Sequence, residues 1–179
     1  AGTGTDSIDA WLPASSHPDQ LDRLTVLLQD QCGDDSNSSP ENNAFGNLLR
    51  ETAERLPQRS VVYILSDFLT DLSSLYQGIE RLRVEGHDVT LLQVLDRDEL
   101  EFPFTGDLQL NGLEGERVAR VDAGVINRKY RALVAEFCQG LEKRVRNLGA
   151  DYELMVSDVN LQAALLAYFQ RMQTRGMFE

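Results

Sequence analysis

The amino-acid sequence predicts an α/β protein: a mainly parallel, open sheet with helices on both faces and an antiparallel β-hairpin near its edge. Three runs carry this prediction: Val61–Leu65 (VVYIL), a continuous β-branched and apolar run, and Val89–Leu95 (VTLLQVL) and Tyr152–Val156 (YELMV), which read as the second and third core strands. A run like VVYIL belongs to a strand covered on both faces. Segments with apolar residues at helical spacing separate them, and such alternation implies right-handed βαβ crossovers. Asn111-Gly112 and Gly115, between Leu108–Leu110 and Val118–Val121, add the pattern of a hairpin with a loose turn.

Each element has its own signal. Ile8–Leu12 reads as a short strand ending at Pro13, and Leu21, Leu24, Leu27 and Leu28 mark an amphipathic helix. Residues 33–43 (GDDSNSSPENN) contain no large apolar side chain and cannot offset their ordering entropy, so a mobile loop is expected there. Ser39-Pro40-Glu41 then reads as N-cap, first-turn Pro and first-turn acid. The helix it starts would bury Phe45, Leu48, Leu49 and Leu56 and stop near Pro57. Leu72, Leu75, Ile79 and Leu82 mark a helix ending at Gly86. A long helix follows the hairpin, with Val125, Tyr130, Leu133, Val134, Phe137, Leu141, Val145 and Leu148 on one face and Gly149 as its left-handed cap. A last helix carries Leu161, Ala164, Leu165, Tyr168, Phe169 and Met172. With no repeat and no interdomain linker, residues 1–179 read as a single domain.

Composition removes several function classes. The chain has 179 residues, 29 acidic against 17 basic side chains and a formal net charge of −12. A nucleic acid partner needs a clustered basic surface, and an anionic membrane surface repels this charge. No apolar run approaches the roughly 20 residues needed to span a bilayer, and no signal peptide is visible. Cys32 and Cys138 lack metal-type spacing and read as free thiols of a reducing compartment. No Gly-rich phosphate loop follows a strand. His17 and His87 are the only histidines, and both read as solvated loop residues without a nucleophile partner. The chain opens Ala1-Gly2-Thr3 without a Met, which is consistent with a processed or excised piece.

One pattern has possible chemistry in it. Each strong strand ends in an aspartate, at Ser66-Asp67, Leu95-Asp96 and Ser157-Asp158, with Asp71, Asp98 and Glu99 nearby. Ligands of open parallel sheets bind beyond the carboxyl ends of the strands, where these acids would gather. One reading is a site for a hard cation such as Mg²⁺, which prefers oxygen ligands. The other is that Asp67 and Asp158 begin βα loops and help cap the helices that follow, while Asp98 and Glu99 are solvated acids. Spacing leaves both open.

From Val61 onward the sequence resembles the bacterial domain-of-unknown-function 58 family, a MoxR-linked group with a von Willebrand factor A-like, Rossmann-like fold. The resemblance rests on VVYILSDFLTD (Val61–Asp71) and on GHDVTLLQVLDRDELEFPFTGDLQL (Gly86–Leu110), with its Asp96, Glu99 and Pro103-Phe104. The long helix with Tyr130 leading to Gly149-Ala150-Asp151-Tyr152, and the Ser157-Asp158 strand end, extend it. SIDAWLP (Ser7–Pro13) and the Leu21–Leu28 helix resemble the family's edge strand and the helix after it. The family's Asp-x-Ser-x-Ser strand is absent, and NNAF stands near Asn42–Phe45 where a Thr ligand belongs.

The resemblance implies a non-enzymatic protein-interaction module working in the cytoplasm with a MoxR-type AAA+ ATPase, in assembling or activating other complexes. Ser66 and Asp67 would be remnants of a metal site that lacks its first motif, so Mg²⁺ is expected only if that motif precedes Ala1. Asp96, Asp98, Glu99 and Asp158 would face a basic partner surface. The sheet would lack the strand beside Val61–Leu65, and its open edge favours a homo-oligomer. Two alternatives stand beside this: a Mg²⁺- or Mn²⁺-dependent hydrolase using the strand-end aspartates, and a structural oligomerisation domain.

Overall fold

A computed structural model describes residues 10–13, 15–31, 44–110, 119–158, 168 and 170. Its elements run α1 (Gln20–Gln31), α2 (Ala44–Arg55), β1 (Val61–Ser66), α3 (Leu72–Val84), β2 (Asp88–Leu95), α4 (Arg97–Glu101), β3 (Asp107–Leu110), β4 (Ala119–Asp122), α5 (Ala123–Asn147) and β5 (Asp151–Val156). The fold is mixed α/β, as predicted. The chain clusters into two compact units, Ala1–Ser60 with Thr70–Asp88, and Val61–Leu69 with Val89–Glu179.

The first unit is helical. α2 and α3 pack closely because small residues lie where they meet: a Cβ on Gly78 would stand 2.5 Å from Leu49 Cδ1, and one on Gly46 2.9 Å from Ser74 Cβ. Leu48, Leu49 and Ala53 of α2 and Leu75, Ile79 and Leu82 of α3 are buried. Asp71 begins α3, its carboxylate accepting from the Ser73 and Ser74 amides at 3.2 and 3.1 Å and from the Ser74 hydroxyl. α1 keeps Leu21, Leu24, Val26 and Leu28 exposed. Trp11 lies under the Arg55 guanidinium, 5.5 Å from the ring centroid.

The end of α3 corrects the reading of His87 as a solvated loop residue. Gly86, at φ +87°, turns the chain back, and the His87 side chain is only 2% exposed. Its Nδ1 accepts the Ser60 amide at 3.2 Å, so the neutral ring carries its proton on Nε2, which faces Glu85 at 3.8 Å. The Asp88 amide donates to the Ser60 carbonyl at 2.9 Å, and Arg83 Nη1 ties the His87 carbonyl and the Asp88 carboxylate at 2.6 and 2.8 Å. The turn excludes solvent because the imidazole supplies the acceptor that water would otherwise give.

The second unit holds a three-stranded parallel sheet in the order β1-β2-β5. β5 lies on β2 in the register Thr90↔Asp151 through Leu95↔Val156. β1 is therefore an edge strand among the described residues, and its burial differs from the expectation of cover on both faces. Val62 and Ile64 are buried, whereas Val61 and Leu65 are 51% and 63% exposed. Between them Tyr63 is half-buried, its ring edge-on to Tyr168 at 6.2 Å, where Leu92, Met155 and Tyr168 form a core cluster.

The hairpin forms with β3 and β4 antiparallel, from Asp107↔Asp122 to Leu110↔Ala119, but as a separate two-stranded sheet. Asp122 caps α5 by accepting from the Gly124 amide at 2.8 Å. At about 1.5 Å per residue α5 runs some 37 Å, while β5 at about 3.3 Å per residue covers some 20 Å. Only part of the helix can pack on the strand: Leu141 and Val145 are buried, but Val125 and Leu133, predicted on the same face, are exposed. Its first half meets α4, where Asn127 Nδ2 donates to the Phe102 carbonyl at 2.6 Å and the Phe102 ring lies 4.6 Å from Tyr130. Gly149, at φ +75°, ends α5 as expected.

Four expectations fall outside the described residues: the 33–43 loop, the Ser39-Pro40-Glu41 helix start, most of the Ile8–Leu12 strand and, except for Tyr168 and Gln170, the last helix. The described part of Ile8–Leu12, residues 10–12, is not a strand.

Candidate functional site

The carboxyl end of the sheet is built by the β2–β5 register. Because Leu95 stands beside Val156, the next residues, Asp96 and Ser157, fall side by side. The Ser157 amide extends the ladder to the Leu95 carbonyl at 2.9 Å, and its hydroxyl donates to Asp96 Oδ2 at 2.7 Å. The other Asp96 oxygen accepts from the Asp98 amide at 2.8 Å, and Glu99 Oε2 accepts from the Asp96 amide at 2.7 Å. This is a capping box on the short helix α4. The Ser157 hydroxyl, then the Asp98 amide, with the Arg97 charge adding to them, hold the Asp96 carboxyl below its usual value.

Arg97 is the residue that sequence reasoning missed. It is a lone cation among the strand-end acids, and it meets Asp158 through Nε–Oδ2 at 2.5 Å and Nη2–Oδ1 at 3.2 Å. It also pairs with Glu101 at 3.0 Å. Asp158 and then Glu101 push the guanidinium's pKa up. The signal for the capping box was present as an acid pair three residues apart, Asp96 and Glu99, but no local signal joins Arg97 to Asp158.

Ser66 and Asp67 serve their own turn. The Ser66 hydroxyl accepts the Phe68 amide at 3.0 Å, and Asp67 Oδ1 accepts the Leu69 amide at 3.0 Å. The turn is tight enough to place Phe68, a fully buried side chain, in the left-handed region at φ +60°. Such a conformation costs about 1–3 kcal/mol, which burial of the ring offsets. Behind the turn, Gln93 Nε2 donates to the Asp67 carbonyl at 3.0 Å and Gln93 Oε1 accepts from Tyr152 Oη at 2.6 Å. Tyr152 and Cys138 hydrogen-bond, and burial pushes both above their usual pKa values.

The acids thus share an edge of the sheet but do not converge as one set. Asp96 and Asp158 are joined through Ser157 and Arg97, and Glu99 closes the capping box. Asp67 is engaged with its own loop, and the Asp98 carboxylate points to solvent without a partner among the described residues. After β1 the cap of α3 is Asp71 and not Asp67, and after β2 the cap of α4 is Asp96; the helix that Asp158 was expected to cap lies outside the described residues. A guanidinium occupies Asp158, and among the described residues no group of three or more His, Cys, Asp or Glu gathers.

No described helix is long and apolar enough to cross a membrane. No curated protein and no solved structure matches the chain. The model of the family described as "Protein of unknown function DUF58" matches residues 4–140. That match takes in the strand, turn and capping-box segment just described, and the chain belongs to the DUF58 family.

Proposed function

We propose that the chain is a non-enzymatic protein-interaction module of von Willebrand factor A-like type, acting in the cytoplasm with a MoxR-type AAA+ ATPase in the assembly or activation of protein complexes. The observation that carries this reading is the state of the strand-end acids. Asp96 and Asp158 are held in place by Ser157 and Arg97, which makes the edge a fixed, charged surface. Asp67, Asp96, Asp98, Glu99 and Asp158 are all exposed along it. A surface of that kind selects a partner by charge and speeds encounter more than it adds raw affinity.

The test is capture of a MoxR-type AAA+ ATPase of the same organism, with the whole gene product as bait, followed by interferometry on the purified pair. Binding that weakens several-fold in Asp98→Lys and at high salt supports the reading. Absence of capture overturns it. Calorimetric titration with Mg²⁺ or Mn²⁺ separates it from the metal-dependent hydrolase, which requires saturable heat with one of these ions. A structural oligomerisation domain would instead self-associate and ignore the ATPase.

A further inference from the structure

The first unit carries a groove that the proposed function does not use. It lies between α2 and α3, has a volume of about 560 Å³, and is lined along α2 by Gly46, Asn47, Arg50 and Glu54. Along α3 it is lined by Ser74, Gln77, Gly78 and Arg81. The α2 residues recur at intervals of one, three and four, and the α3 residues at three, one and three, so each set is one stripe of its helix. Gly46, Gly78 and Ser74 make the floor, where the close helix approach leaves no room for a larger side chain.

Its walls are rich in donors. Arg50 and Arg81 each present a guanidinium, and Asn47 and Gln77 each present a side-chain amide. Arg50 donates to Asn47 Oδ1 at 3.3 Å and has no acidic partner among the described residues. Arg81 pairs its Nε with Glu85 at 2.6 Å, and its side chain is 57% exposed. Glu54 is the single acid of the lining, at the far end of the α2 stripe. In a chain of net charge −12, with 29 acids available, the groove collects two arginines and two side-chain amides against one carboxylate.

We propose that this groove docks an acidic segment of a partner protein, whose carboxylates are taken by Arg50 and Arg81. Arginine suits the role because its planar fork meets a carboxylate with two parallel hydrogen bonds. Glu54 sets the polarity by repelling acids from its end. This docking is independent of the acidic strand edge and stands or falls separately from the ATPase reading.

The test uses a fluorescein-labelled octaglutamate peptide with the whole chain in low salt, read by anisotropy, with octalysine and inorganic phosphate alongside. Saturable one-to-one binding of octaglutamate is expected, against the protein's overall charge. Arg50→Gln and Arg81→Gln should each weaken it at least threefold and together at least tenfold, while Arg50→Lys, which keeps the charge but loses the fork, should fall between the parent and Arg50→Gln. Glu54→Gln should strengthen it, and Arg55→Gln, a cation of the same helix outside the groove, should leave it within twofold. Both groove arginines are exposed, so matching circular dichroism melts establish that the variants fold. The proposal is overturned if octaglutamate does not bind, if the double variant binds as the parent does, if Arg55→Gln loses as much, or if phosphate competes at equal concentration.

Discussion

Arg97 in the first turn of α4 clasps Asp158 beyond the end of β5, with both carboxylate oxygens engaged, at 2.5 and 3.2 Å. The two residues are 61 positions apart, and their side chains are 47% and 43% exposed. A pair that open to water is screened by salt, and its bidentate geometry is what distinguishes it from an incidental contact. A double-mutant cycle on Arg97→Ala and Asp158→Ala is expected to show favourable coupling at low ionic strength that fades in 1 M NaCl. Coupling that persists in 1 M salt would mean that the contact acts by packing and not by charge.

Acid should loosen the caps. The Ser74 hydroxyl, followed by the Ser74 and Ser73 amides, holds the Asp71 carboxyl below the ordinary aspartate value of 3.8, and the Ser157 hydroxyl does the same for Asp96. A carboxyl depressed on folding contributes stability that is fully present above its unfolded value and is lost as pH falls through the folded one. Stability should therefore decline as pH drops below about 3.8, and Asp71→Asn combined with Asp96→Asn should flatten the decline. Urea melts taken across pH 2 to 7 check this. An unchanged slope in the double variant would assign the acid sensitivity to other carboxylates.

Removal of the His87 imidazole should cost more than the loss of a surface histidine. His87→Ala leaves the Ser60 amide without its acceptor in a site that excludes water, and is expected to cost about 1–3 kcal/mol. An asparagine oxygen falls where Nδ1 now stands, so His87→Asn should recover most of the loss, and His87→Leu should not. Denaturant midpoints of the three variants measure the effect. Equal losses in Asn and Leu would show that packing, not the hydrogen bond, is what the ring supplies.

The β1 edge should mediate self-association. It is apolar, it has a neighbour on one side only among the described residues, and it exposes Val61 and Leu65. Edges of that character pair with other chains unless blocked by charge. Light scattering over a concentration series is expected to show a reversible dimer that Leu65→Lys shifts to monomer. A monomer at every concentration tested would remove the edge from consideration.

The strands were legible almost to the residue. Val61–Leu65, Val89–Leu95 and Tyr152–Val156 became Val61–Ser66, Asp88–Leu95 and Asp151–Val156, because a short, largely apolar run bounded by polar and Gly-containing segments is a local property that few other structures accommodate. The α3 helix was legible for the same reason, through Leu72, Leu75, Ile79 and Leu82. α4 was not, since five residues are too few to display a period. His87 was misjudged because its burial depends on an amide 27 positions away, which no local pattern announces.

The sequence by itself determined which segments are strands and helices, where Gly86 and Gly149 turn the chain, and that each strand delivers an aspartate to one edge. Only the tertiary structure decided what those aspartates do. Their partners follow from the register of β5 on β2: Leu95 beside Val156 sets Ser157 against Asp96, and α4, beginning at the next residue, brings Arg97 to Asp158. Hydrophobic patterns are written along the chain, but the pairing of charged groups is fixed by which strands lie side by side.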